Sequence, residues 1–243
     1  MSAYVINYIG SGGKTSTILY EMEKYRQAGK KVVITSLTHM HSPRVIPEGT
    51  DRLCRTLSEV REVLSSGEIA WYGEPIKDGS CFTMRSLSDW ETLLSMADVI
   101  LCEGDGSRRR PVKVPAKKEP VIFPETDEII VVAGLSALSH PISTHCHRQE
   151  MVRELISAKR QLSEDSVFVK EDYVLLLGEG YLVRMKKEYP DIRLSVILNQ
   201  AGTEEEKVAA RWIADEIEKI YGVSVSITNH RREIDYPGFE PKW

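Results

Sequence analysis

Short apolar runs alternate along this chain with stretches whose apolar residues recur every three or four positions. The runs read as buried strands and the spaced stretches as helices with one face on a core. Tyr4-Val5-Ile6-Asn7-Tyr8-Ile9 is the first strand, and Ile18, Leu19, Met22 and Tyr25 mark the helix after it, which Ala28-Gly29 stops. Lys31–Ser36 is the second strand, and a strand–helix–strand order implies a right-handed parallel unit. Glu68–Gly73 and Ser80–Met84 read as a hairpin across Pro75–Gly79, an antiparallel edge to the sheet. Ser88 reads as the cap of a helix through Trp90, Leu93, Leu94 and Met96. Further strands fall at Val99–Cys102, Glu128–Gly134, Arg193–Ala201 and Val223–Ile227.

Between 135 and 190 the pattern is helical: Glu150–Lys159, Lys170–Leu177 as helix or extended chain, and Tyr181–Tyr189 before Pro190. Thr203 caps a last helix with Val208, Trp212, Ile213, Ile217 and Ile220 on its apolar side and Gly222 at its end. The fold class is therefore α/β: a P-loop NTPase-like, mostly parallel sheet with helices on both faces and an antiparallel edge hairpin. It is read as one domain over 1–243, with a helical subdomain within it over 135–190.

The chemistry begins in the turn between the first strand and helix, Gly10-Ser11-Gly12-Gly13-Lys14-Thr15-Ser16. Glycines let a backbone close on a phosphate, and a helix start supplies unpaired N–H groups with a partial positive charge. Lys14 reaches outer phosphate oxygens and the Thr15 hydroxyl holds a magnesium ion, the arrangement of a nucleotide-binding loop. The spacing is short, because the standard pattern needs glycine where Tyr8 stands. What remains, G-x-x-G-K-T-S, is similar to the loop of Mur ligases.

Ligands of an open parallel sheet sit beyond the carboxyl ends of its strands. Thr38, His39 and His41 follow the second strand and share that rim with Lys14. Glu103 and Asp105 end another apolar strand among glycines, where a phosphate loop needs acidic partners. Asp105 is read as a second magnesium ligand beside Thr15, and Glu103 as the group that orients water or a nucleophile. Arg108, Arg109, Arg110 and Lys113 come next and offer cations to a second, phosphorylated ligand. His147 and Arg148 belong to a rim loop facing substrate. Asn199, at a strand end, has the amide to read a nucleotide base, and no N-K-x-D pattern follows it to specify guanine. His140, His145, Cys146 and His147 lie close in sequence, but their spacing matches no closed zinc site. Activation of Cys146 by a neighbouring histidine would make it a nucleophile or selenium carrier.

Charge and cysteine content narrow the class. A net charge of −4 with 28% charged residues disfavours general nucleic-acid binding. The four cysteines form no C-x-x-C pair, against a disulfide framework or zinc knuckle. No leader and no apolar run of membrane-spanning length is read, so the expectation is a soluble, cytoplasmic protein.

Four motifs in fixed order resemble one family. They are GSGGKTS, TSLTHM, CEGDGSRRRPVKVPAKKEPVIFP, and VVAGLSAL followed by His147-Arg148. Together, from Val5 to about Ala201, they resemble the YqeC family, accessory proteins of selenium-dependent molybdenum hydroxylases. The sequence departs from that pattern at His145-Cys146-His147-Arg148, where a plainer Val-His-Arg is usual. The resemblance implies a cytoplasmic P-loop protein that helps mature a selenium-containing molybdenum cofactor. The loop and its acidic partners point to Mg2+ with ATP or another nucleoside triphosphate as ligands, and the resemblance implies a molybdopterin-type cofactor and a molybdenum hydroxylase as partners. Three activities fit: a phosphoryl- or nucleotidyl-transferring or hydrolysing enzyme, a slow NTPase switch delivering cofactor, and a binder of a phosphorylated ligand without turnover.

Overall fold

The computed structural model describes residues 2–41, 51–84 and 86–230. The chain opens with β1 (Tyr4–Gly10), α1 (Lys14–Gln27), β2 (Val32–Ser36), β3 (Met40–His41), β4 (Asp51–Cys54), α2 (Leu57–Ser65) and β5 (Ile69–Tyr72). Then come β6 (Glu74–Ile76), β7 (Cys81–Thr83), α3 (Trp90–Met96), β8 (Val99–Glu103), β9 (Val112–Lys113) and β10 (Glu128–Gly134). It closes with α4 (Ile142–His145), β11 (Cys146–His147), α5 (Gln149–Ser157), α6 (Lys170–Leu177), α7 (Val183–Glu188), β12 (Arg193–Asn199), α8 (Glu204–Tyr221) and β13 (Ser224–Ile227).

Eight strands form one sheet in the order β13-β12-β10-β1-β8-β2-β5-β4, and every pairing in it is parallel. Both faces are covered, which is why the strands read as unbroken apolar runs. Ile6 and Tyr8 of β1 pack with Ile18 and Met22 of α1 on one face. Val5 and Ile9 point to the other face, Val5 toward the core of α2 and α3 and Ile9 toward that of α5, α6 and α8. The helices between 142 and 188 share one continuous core with the sheet. No helix among the described residues is long and apolar enough to cross a membrane.

Three expectations need correction. β5 is an interior strand of the parallel sheet, so the antiparallel hairpin is made instead by β6 and β7. With β3 they form a separate three-stranded sheet rather than an edge of the main one. The apolar stripe of α8 is Ala209, Ala210, Ile213, Ala214 and Ile217, while Val208 and Ile220 are exposed. The small alanines let this helix approach the sheet closely, and large side chains drew the sequence reading one position off. The residue at the start of α3 is Asp89, not Ser88, and its side chain makes no capping hydrogen bond. The Thr203 cap holds: its hydroxyl accepts from Glu206 N–H, and the Glu206 carboxylate accepts from Thr203 N–H.

Candidate functional site

β1 lies at the middle of the sheet, between β8 and β10, so the turn after it emerges with strand ends on both sides. Gly10, Gly12 and Gly13 take φ of 93°, 76° and 112°, where a side chain is disfavoured. Gly12 is also tightly enclosed: a Cβ there would lie 2.1 Å from the Gly134 nitrogen and 2.7 Å from the Pro111 oxygen. Backbone bonds fix the turn. Ser11 N–H donates to Val132 O at 2.8 Å and Gly12 N–H to Arg110 O at 3.2 Å. The Ser11 hydroxyl donates to Pro111 O at 3.0 Å.

Helix α1 then starts at Lys14 with no side-chain cap and no acidic residue in its first turn. Helices α2 and α8, by contrast, each close their start with a Thr–Glu capping box. Among the described residues the amides of Lys14, Thr15 and Ser16 have no acceptor. Open amides and the positive helix end converge on one spot above the glycine turn, which is anion-binding geometry.

Beneath that spot runs a chain of alternating charges. The buried Lys14 ammonium donates to Gly10 O at 2.7 Å, and lies 3.2 Å from Asp105 and 4.0 Å from Glu103. Asp105, fully buried, also accepts from Gly10 N–H at 3.0 Å and pairs with Lys113 at 2.8 Å. Lys113 bonds Glu119 at 2.8 Å and Gly106 O at 2.8 Å, and Arg148 forks onto Glu119 at 2.7 and 2.8 Å. Burial raises the Glu119 carboxyl, but the hydrogen bonds from Arg148 and Lys113 together outweigh it and hold it down at about 2. Glu103 stands apart at the end of β8. Its Oε2 accepts from the Thr15 hydroxyl at 3.0 Å. Burial raises its pKa above the ordinary carboxylate value, with the Lys14 charge and the Thr15 bond working against that rise.

The residues singled out from sequence fall into three groups. Gly10 to Ser16, Glu103 and Asp105 converge as a loop with two carboxylates. Thr38 joins them at the rim, its hydroxyl 3.0 Å from that of Ser36, which itself donates to Glu103 O at 2.8 Å. His39 is exposed near by.

Lys113, Arg148 and Asn199 have structural partners where ligand contacts were expected. Lys113 and Arg148 are engaged with Asp105 and Glu119, not presented to solvent as a substrate cradle. Asp105 has both lysines and the Gly10 amide on its carboxylate, so it stands as a loop anchor rather than an open metal ligand. Asn199 is fully buried: its Nδ2 donates to Gly12 O at 2.9 Å, and its Oδ1 accepts from Thr228 Oγ1 and His230 N, each at 3.0 Å. Its amide props the loop from across the sheet and does not face a base.

The arginines are a turn. Arg108 and Arg109 adopt φ of 50° and 61° and are exposed, while Arg110 donates to Thr144 O. His147, half-buried on β11, has its pKa lowered by burial and then by the charges of Arg148, Lys113 and Arg108. Cys146 is buried, its thiol donating to Ile142 O at 3.0 Å, and burial pushes its pKa up to about 11. That corrects the idea of an activated thiol. At pH 8 about a thousandth of it would be thiolate, so native protein should leave Cys146 unlabelled by iodoacetamide while urea-unfolded protein labels it fully, as peptide mass spectrometry would show. Sequence reasoning missed Glu119, the hinge of the charge chain, since a lone acid after Lys117-Lys118 carries no signal of its partners.

An eight-stranded parallel sheet with a glycine-rich turn, Lys-Thr at a helix start and acids on the adjoining strand end defines a P-loop NTPase-like α/β protein. A family model described as YqeC protein matches residues 6–150, and the chain belongs to the YqeC family. It is 29% identical over 178 residues to a protein of Escherichia coli (strain K12) described as "Uncharacterized protein YqeC", covering 71% of this chain and 67% of the relative. Among solved structures it is similar to HypB from Helicobacter pylori in complex with nickel, with a TM-score of 0.39 and 11% identity over 95% of this chain and 80% of that one.

Proposed function

We propose that this protein binds a magnesium–nucleoside triphosphate, ATP in the first instance, on Gly10–Ser16. It would use that nucleotide to transfer or hydrolyse a phosphoryl or nucleotidyl group during maturation of a selenium-containing molybdenum cofactor. The observation that supports the chemistry best is the Thr15–Glu103 contact at 3.0 Å, directly below helix-start amides that have no internal acceptor. A hydroxyl and a carboxylate are hard oxygen donors that suit magnesium. Thr15 and Glu103 would hold the ion, which would neutralise charge on the phosphates. Glu103 takes this role from Asp105 because its carboxylate carries fewer internal partners.

Lys14 keeps an ammonium proton for a phosphate oxygen beyond its bonds to Gly10 O and Asp105. Asp105, anchored by Lys113, fixes Lys14 and the Gly10 amide so that no reorganisation is needed when charge develops. Arg108, with neutral His147 beside it, offers a second anion site at the rim for a phosphorylated acceptor of the molybdopterin type. The pathway rests on family membership, and the nucleotide on the loop.

A thermal-shift titration tests the reading. Magnesium–ATP at a hundredfold excess over Kd should stabilise the protein by about 2.7 kcal/mol, roughly 5–10 °C for a chain of this size. Lys14→Ala should show no shift. Absence of a shift with any magnesium–nucleotide in the wild type would rule the reading out.

A further inference from the structure

A second cavity opens on the same rim, beyond the end of β5. It encloses ≈ 380 Å³ and is lined by Arg55, Tyr72, Glu74, Met84, Ser88 and Asp89, among others. That is room for a small molecule. Its position relative to the loop follows from the sheet. Thr35 of β2 pairs with Cys102 of β8, and the Thr35 hydroxyl donates to Tyr72 O at 2.9 Å. Tyr72 therefore stands two strand spacings, about 10 Å, from the end of β8 where Glu103 lies. Met84 on the cavity wall donates its N–H to Ser36 O at 2.7 Å, and the Ser36 hydroxyl donates to Glu103 O. Two hydrogen bonds through Ser36 thus connect the cavity wall to the backbone carbonyl of Glu103 at the end of β8.

The charges in this cavity are arranged unusually. Arg55 is exposed and has no ion-pair partner among the described residues. Glu74 and Asp89 face the same space, and neither pairs with Arg55 or with any other cation among the described residues. Tyr72 is held in place by its hydroxyl, which donates to Asp89 Oδ2. Among the described residues, one cation and two carboxylates line one opening without pairing with each other. Opposite charges that face a common space without meeting are matched by a molecule that carries both signs. A pure anion would meet Glu74 and Asp89, and a pure cation would meet Arg55.

We infer that this cavity is the site of a second substrate and that it takes a small zwitterion of the free α-amino acid class. The carboxylate lies on Arg55 and the ammonium between Glu74 and Asp89, with Ser88 and the Met84 wall beside the side chain. The inference rests on the nucleotide reading only for its role as second substrate; the binding itself stands on the cavity.

The test screens the twenty free amino acids by thermal shift, each with and without magnesium–ATP. The best responder is then titrated by calorimetry against its N-acetyl form, which lacks the ammonium, and its methyl ester, which lacks the carboxylate. Each derivative should bind at least about tenfold more weakly, as should the parent amino acid to Arg55→Gln and to Glu74→Gln, because each change removes one charge-assisted contact. Arg55 is exposed and Glu74 half-buried, and an unchanged melting temperature without ligand confirms that the variants fold. No response to any amino acid overturns the proposal, as does a singly charged derivative that binds as tightly as its parent. Binding of inorganic phosphate that Arg55→Gln abolishes, without amino-acid binding, also overturns it and makes the cavity an anion site. An amino-acid response without any nucleotide response upholds the cavity and instead refutes the nucleotide reading.

Discussion

Lys113→Met should lower stability at pH 7 by about 3 kcal/mol in urea denaturation, because removing one partner of a buried ion pair leaves charge without compensation. The Lys113 side chain is fully buried and holds two carboxylates, Asp105 and Glu119, each at 2.8 Å. Methionine fills similar volume but supplies no donor to either acid or to Gly106 O. Lys113→Arg should recover part of the loss, since it restores the charge in a geometry the pocket was not built for. The effect has a pH signature. Glu119 has a folded pKa of about 2, below its ordinary value of 4.5. A depressed carboxylate contributes stability that is fully present above its unfolded pKa and is lost as pH falls through its folded value. The gap between wild type and Lys113→Met should therefore be widest above about pH 5 and narrow between there and about pH 2. A gap independent of pH across that window would show that Lys113 acts by packing alone.

Gly12→Ala carries the second large effect: loss of magnesium–nucleotide stabilisation together with about 3 kcal/mol or more of fold stability, the scale of severe overpacking. The added Cβ would meet Gly134 N at 2.1 Å, Gly134 Cα at 2.3 Å and Pro111 O at 2.7 Å, all backbone atoms that cannot rotate away. Its φ of 76° adds strain. Gly13→Ala should be milder in stability, since the close atom there is a side-chain nitrogen of Asn199 at 2.3 Å. Gly106→Ala is the neutral control, with open space around it and no positive φ. Circular dichroism melts with and without nucleotide separate these cases, and equal behaviour of Gly12→Ala and Gly106→Ala would refute the packing argument.

The loop could be read from the chain because everything that defines it is local: β1, three glycines, Lys-Thr and the first turn of α1 fall within residues 4 to 18. The parallel sheet was legible for a similar reason, since strands covered on both faces leave unbroken apolar runs such as Ile129–Ala133. Partnership was not legible. Asn199 and Gly12 bond across 187 residues, and nothing in either neighbourhood announces the other. The basic run misled for a backbone reason. The left-handed turn at Arg108 and Arg109 carries the chain back into pairing with β11, so Lys113 enters the interior while Arg108 stays out. Composition shows four cations in a row of six residues; only the turn decides which of them meet water. The hairpin was displaced for a comparable reason, because Gly73 allows β6 to leave the sheet immediately after β5 ends.

The order of strands also bears on how the protein is made. β1 is synthesised first, yet its two neighbours in the sheet come from residues 99–103 and 128–134, and the prop under its loop from residue 199. During translation the glycine turn must wait for most of the chain to leave the ribosome before it is framed on either side. Parallel sheets built from such distant pairings assemble late and expose apolar strands meanwhile. Nascent chains that extend to about residue 150 would hold β1, β8 and β10 without β12, and are the stage at which chaperone capture should peak.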